Sequence, residues 1–97
     1  MSSPVEACRR ALDDREVTEG ICTWTDTNYS ENMEVHPRPR STDVCGELNP
    51  TIGSVVNLTK ETRLFYAFGK CRDENLQAEV APGVEFNEFE NPVSSWR

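Results

Sequence analysis

Four cysteines in 97 residues constrain this chain more than any other feature. They stand at Cys8, Cys22, Cys45 and Cys71, separated by 14, 23 and 26 positions, with no Cys-x-x-Cys pair among them. The single histidine, His36, has no cysteine at metal-finger spacing, which argues against structural zinc and against thioredoxin-like redox chemistry. Scattered cysteines in so short a chain read as two disulfides in a secreted domain. A core built from 36% hydrophobic residues is lean, and cross-links offset that by restricting the unfolded chain. Four cysteines allow three pairings, and spacing does not choose between them.

Charge and hydropathy exclude further classes. Ten Lys and Arg stand against 17 Asp and Glu, a formal charge of −7, which speaks against a nucleic-acid partner. No apolar run is long enough for a membrane-crossing helix. Met1-Ser2-Ser3-Pro4 is too polar for a signal peptide, so on a secretory route the chain is expected in its mature form. Two acceptor sequons, Asn28-Tyr29-Ser30 and Asn57-Leu58-Thr59, are glycosylation candidates.

Residues 1–16 read as a short helical arm. Ser3 suits the N-cap, Pro4 the first helical position and Glu6 the capping box, while Val5, Cys8 and Leu12 share a face. From residue 17 the pattern changes. ICTWTDTN, SVVNLT, RLFYAF and VEFNEF are rich in β-branched and aromatic residues, and HPRPRST, CGELNPT, CRDEN and APG separate them as turn formers. Residues 17–97 are therefore expected to be mainly β. His36–Arg40 reads as an exposed Pro-limited loop and the one basic patch. Trp24, Tyr29 and Phe65 are expected in the core, and Trp96 as an exposed anchor.

Sliding the chain over itself by 41 residues places Trp24 on Phe65, Leu48 on Phe89, Ile52 on Val93 and Ser54 on Ser95. Each half then holds about four short strands, one Greek key, over about 17–56 and 57–97. Two such halves would pack as a sandwich.

The halves also end alike. Asn49-Pro50-Thr51-Ile52-Gly53-Ser54 and Glu90-Asn91-Pro92-Val93-Ser94-Ser95 resemble the closing signature of the βγ-crystallins: two Asn/Asp residues, any residue, a hydrophobic residue, Ser/Thr, Ser. Trp24-Thr-Asp-Thr-Asn-Tyr29-Ser30-Glu31 resembles the opening aromatic motif, with Glu31 in place of glycine. In the second half Phe65 or Tyr66 serves as first aromatic, and Lys70 or Cys71 follows where the second belongs. The resemblance covers roughly residues 20–97. It implies a double Greek-key sandwich and a calcium site in which Thr51 and Pro92 offer carbonyls, Ser94 a hydroxyl and Asn91 a side-chain oxygen. Gly53 and Pro50 replace expected ligands, so calcium binding is expected to be weak or absent and no other cofactor is implied. The alternative role of Ser54 and Ser95 is to brace the adjoining hairpins by hydrogen bonds. Within this frame the pairings Cys22–Cys45, closing one Greek key, and Cys8–Cys71, tying the arm to the second half, are expected.

Catalytic patterns are absent from the sequence. His36 follows no nucleophile motif, and the five glycines are dispersed rather than gathered in a phosphate loop. The resemblance extends to secreted killer toxins, apoplastic effectors and metalloproteinase inhibitors. The expectation is a secreted, monomeric, non-enzymatic binding protein, effector- or toxin-like, acting on a host or competitor protein. Protease inhibition and a calcium-stabilised structural domain are the alternatives. His36, Arg38, Arg40 and Trp96 are the candidate partner-binding residues.

Overall fold

A computed structural model describes residues 3–37 and 43–97. The chain is mainly β: the described residues form two antiparallel four-stranded sheets and one short helix. Helix α1 spans Pro4–Asp14. The strands are β1 (Gly20–Trp24), β2 (Met33–Pro37), β3 (Gly46–Ile52), β4 (Ser54–Leu58), β5 (Arg63–Ala67), β6 (Leu76–Val80), β7 (Glu85–Phe86) and β8 (Val93–Trp96). A 3₁₀ turn, Asp73–Asn75, precedes β6.

α1 begins where its sequence says it should. Ser3 Oγ accepts the Glu6 N–H at 3.1 Å, and Pro4, which has no N–H to satisfy, occupies the first turn. Cys8 and Leu12 are its buried residues, and Val5 packs beside them.

One sheet runs β2-β1-β4-β7 and the other β3-β8-β5-β6. Each half of the chain therefore keeps three strands in its own sheet and sends its third, β3 or β7, to the other. Alternation along β1 and β4 separates two hydrophobic clusters. Ile21 and Val55 face the second sheet and join Leu48, Ile52, Phe65, Val80, Phe89 and Val93 between the layers. Cys22, Trp24, Val56 and Leu58 face the other way and are covered by Cys8 and Leu12 of α1. The helix is thus a third layer lying on the outer face of the first sheet, which explains why β1 and β4 are buried along their whole length.

This layering corrects the expected disulfides. The bonds are Cys8–Cys22 and Cys45–Cys71. Cys8 and Cys22 meet under α1 on the outside of the first sheet, whereas Cys71 follows β5 in the second sheet. The β layers separate the expected partners Cys8 and Cys71. The expected turn CGELNPT is also corrected: Gly46–Ile52 is strand β3, recruited by antiparallel pairing with β8.

The strand registers of the two halves match at an offset that slips by one residue from the expected 41. β1 pairs with β4 so that Trp24 lies opposite Ser54, and β5 with β8 so that Tyr66 lies opposite Ser95. The counterpart of Trp24 is therefore Tyr66, not Phe65. A register irregularity between Tyr66 and Ala67 accommodates the shift.

Candidate functional site

Ser54 and Ser95 hold the same position in the two halves. Ser54 Oγ donates to the Asp26 carbonyl at 2.7 Å and accepts the Tyr29 N–H at 3.0 Å. Ser95 Oγ donates to the Phe68 carbonyl at 2.8 Å and accepts the Cys71 N–H at 3.1 Å. Both serines are fully buried, so each satisfies a loop that would otherwise bury bare backbone groups. The loops differ in how they are finally closed. In the first, Tyr29 packs edge-on against Trp24 with ring centroids 5.3 Å apart. In the second, Cys71 takes the place of Tyr29 and the Cys45–Cys71 disulfide does the closing.

The second loop carries an exposed aromatic. Phe68 is 70% exposed and sits at φ 63°, a left-handed conformation that bulky side chains seldom adopt. Lys70 and Cys71 are also left-handed, at φ 71° and 48°. Besides the serine brace and the disulfide, Glu47 Oε1 accepts the Lys70 N–H at 3.0 Å. Phe68, Lys70, Arg72, Glu74 and Asn75 together line a shallow open hollow. Sequence reasoning missed this site because Phe68 closes an apolar run, RLFYAF, that reads as strand to its end. The one usable signal was Gly69 directly after it, followed by two cations flanking a cysteine, Lys70-Cys71-Arg72.

Of the expected partner-binding residues, His36 and Trp96 lie elsewhere. His36 is not in an exposed loop: it belongs to β2, is half-buried, and faces inward because it pairs with Ile21. Its Nε2 is 3.3 Å from Thr23 Oγ1 and its ring lies 5.7 Å from that of Trp96. Trp96 is not an exposed anchor either. It is half-buried, stacked on Phe65 at 6.3 Å, with the Arg63 guanidinium 6.0 Å from its ring centroid. Both residues are drawn in at the margin where the two sheets meet. Arg38 and Arg40 lie outside the described residues.

Burial lowers the pKa of His36 below its usual 6.5, and the Glu34 carboxylate opposes that shift. A base with a depressed native pKa takes up its proton more readily in the unfolded chain. Its contribution to stability is complete above about pH 6.5 and declines as pH falls toward the native pKa. With one histidine in the chain, this window can be isolated. The melting temperature is expected to fall between pH 7.5 and about 5.5, and His36→Gln should flatten that dependence. An unchanged slope in the variant would assign the dependence to another group. Tyr29 moves the other way: burial first and the Glu85 carboxylate second raise its pKa, keeping the phenol protonated.

Of the calcium candidates, Thr51, Asn91 and Pro92 come together in a cleft of about 180 Å³. The β1–β2 loop closes one side of it with Asp26, a carboxylate that was not among the expected ligands. Ser94 lies in β8, half-buried, and does not line this cleft. Gly53 could not carry a ligand here: a Cβ on it would stand 2.6 Å from the Asp26 carbonyl carbon and 2.8 Å from Thr27 N. The backbone of the β1–β2 loop thus occupies the space of the missing Ser/Thr. The donor set is oxygen-rich, which suits a hard cation, but it offers one carboxylate. Among the described residues no three His, Cys, Asp or Glu gather as a metal cluster.

The two sequons separate cleanly. Asn28 is exposed in the β1–β2 loop, its N–H donating to the Asn87 carbonyl at 2.8 Å. Asn57 is fully buried, and both ends of its amide are engaged with protein groups. A glycan on Asn57 is incompatible with this fold, which corrects that candidate.

No helix among the described residues is long and apolar enough to cross a membrane. Comparison with protein-family models, curated proteins and solved structures finds no match.

Proposed function

We propose that this chain is a secreted, disulfide-stapled domain of the βγ-crystallin-like double Greek-key type. In this reading it is a non-enzymatic binding protein, effector- or toxin-like, that acts on a protein of a host or competitor. Two features support the architecture: the exchange of the third strand of each half between the sheets, and the paired serine braces. Two disulfides in a small chain support an extracellular setting.

One observation carries the binding role. Phe68 combines an exposed aromatic ring with a strained backbone, two features that each cost stability and serve no packing purpose. Its loop is fastened by four contacts, so docking would cost little ordering entropy. Purified protein applied to tissue or competitor cells should elicit a response. Phe68→Ala should abolish it at unchanged melting temperature, since the ring makes little packing contact. A variant as active as the parent would remove Phe68 from the interface, and indifference of every target would remove the effector reading.

A second reading, a domain stabilised by calcium, draws on the cleft that joins Asp26 to Thr51 and Asn91. With one carboxylate the affinity should be low, in the millimolar range of about 10⁻⁴–10⁻³ M. Millimolar calcium should then raise the melting temperature by a few degrees, about what RT ln(1 + [L]/Kd) allows near saturation. Asp26→Asn should erase the shift. A parent protein that melts identically with calcium and with chelator has no such site.

A further inference from the structure

The two disulfides differ in what surrounds them. Cys8 and Cys22 are 0% exposed, sealed between α1 and the first sheet among Leu12, Trp24 and Val56. In the other bond Cys71 is 7% exposed, but Cys45 is an exposed residue just before β3. The environment of the departing sulfur differs too. Cys71 has Lys70 and Arg72 as its chain neighbours, and cations favour a thiolate. Cys8 or Cys22 would have to leave as an anion inside an apolar cluster.

We propose that Cys45–Cys71 is a thiol-exchange site for small monothiols, opened independently of Cys8–Cys22. Exchange requires a thiolate to reach one sulfur in line with the bond, and Cys45 is the one exposed cysteine of the four. The attacking thiolate forms a mixed disulfide on Cys45, and the S–S bond to Cys71 breaks with both electrons going to Cys71. The Cys71 thiolate then takes a proton from water. A second monothiolate displaces Cys45 from the mixed disulfide, giving the oxidised monothiol dimer and a Cys45 thiolate that is protonated in turn. Two monothiols are oxidised for one protein disulfide reduced.

What the bond holds gives the exchange its consequence. Cys71 is one of three left-handed, non-glycine residues in the Phe68 loop, and the disulfide fastens that loop to β3. Without it, the Ser95 brace, the Glu47 contact and the approach of Cys71 Sγ to the Trp96 carbonyl at 3.4 Å oppose relaxation of those residues. Opening the bond releases the loop while α1 and the first sheet stay locked by Cys8–Cys22. Loss of docking on reduction rests on the reading of Phe68 given above; the exchange itself does not.

The test is timed exposure of the native protein to millimolar reduced glutathione, followed by alkylation and peptide mapping. Cys45 and Cys71 should become alkylated at least about ten-fold faster than Cys8 and Cys22. Hydrogen exchange on the half-reduced species should show the Lys70 and Cys71 amides deprotected while β1 and β4 remain protected. A Cys45→Ser/Cys71→Ser double variant should show the same local deprotection without thiol. Alkylation of all four cysteines at one rate, earlier reaction of Cys8 or Cys22, or a loop still protected after the bond is open would each overturn the proposal. If the oxidised parent engages no target, the Phe68 reading fails while the exchange rates still decide this one.

Discussion

Asn57→Ala is expected to lower the unfolding free energy by about 3–4 kcal/mol, the largest effect of any single substitution considered for this chain. Asn57 is fully buried on β4, facing the second sheet. Its Nδ2 donates to the Val80 carbonyl at 2.7 Å and to the Glu61 carbonyl at 3.0 Å. Its Oδ1 accepts the Thr59 N–H at 2.9 Å and lies 2.7 Å from Thr59 Oγ1. One amide thus joins β4 to β6 across the core and fixes the β4–β5 connection. Truncation strands the buried Val80 carbonyl and Thr59 N–H, each at a cost of about 1–3 kcal/mol in part relieved by relaxation, and adds a small cavity. Asn57→Asp should be comparably harmful, because a carboxylate cannot donate to two carbonyls and would be a buried charge. Urea denaturation checks both; a loss below about 1 kcal/mol in the alanine variant would show the network to be dispensable.

Removing Cys8–Cys22 should cost about 3 kcal/mol. The bond closes a separation of 14 residues and pins a helix of 11 residues that is too short to persist alone. Cys8→Ala/Cys22→Ala should therefore lose helical circular dichroism at temperatures where the β signal survives. The second consequence is exposure of Trp24, now 5% accessible beneath α1, visible as a red shift in fluorescence. Retained helix and an unshifted spectrum would mean that Val5 and Leu12 hold α1 without the cross-link.

Much of the fold was legible because it depends on local signals. The Ser3 cap, Pro4 and the Val5–Cys8–Leu12 face specify α1 without reference to anything distant. The alternation in ICTW and SVVNL marks β1 and β4, and the matched Ser54 and Ser95 marked the braces. The failures share a cause. Gly46–Ile52 carries turn residues and becomes strand only because β8 offers a partner. His36 and Trp96 look like surface residues in a polar stretch and a terminus, yet cross-layer contact draws both inward. Asn57 reads as a sequon, and its burial follows from the alternation of a strand whose both faces are covered.

The site was less legible still. Thr51, Asn91 and Pro92 come from two motifs far apart in sequence, and their shared cleft needed Asp26 from a third segment. Phe68 gave almost no warning, since its exposure is set by a loop whose shape four distant contacts determine.

By itself the sequence determined that the chain is a small, cross-linked, mainly β domain with a capped helix in front, because composition, periodicity and capping act over a few residues. Only the tertiary structure decided which cysteines pair, which face α1 covers and where an aromatic is left in solvent. Those outcomes depend on how two layers and a helix stack, and stacking is a relation between segments that no local pattern encodes.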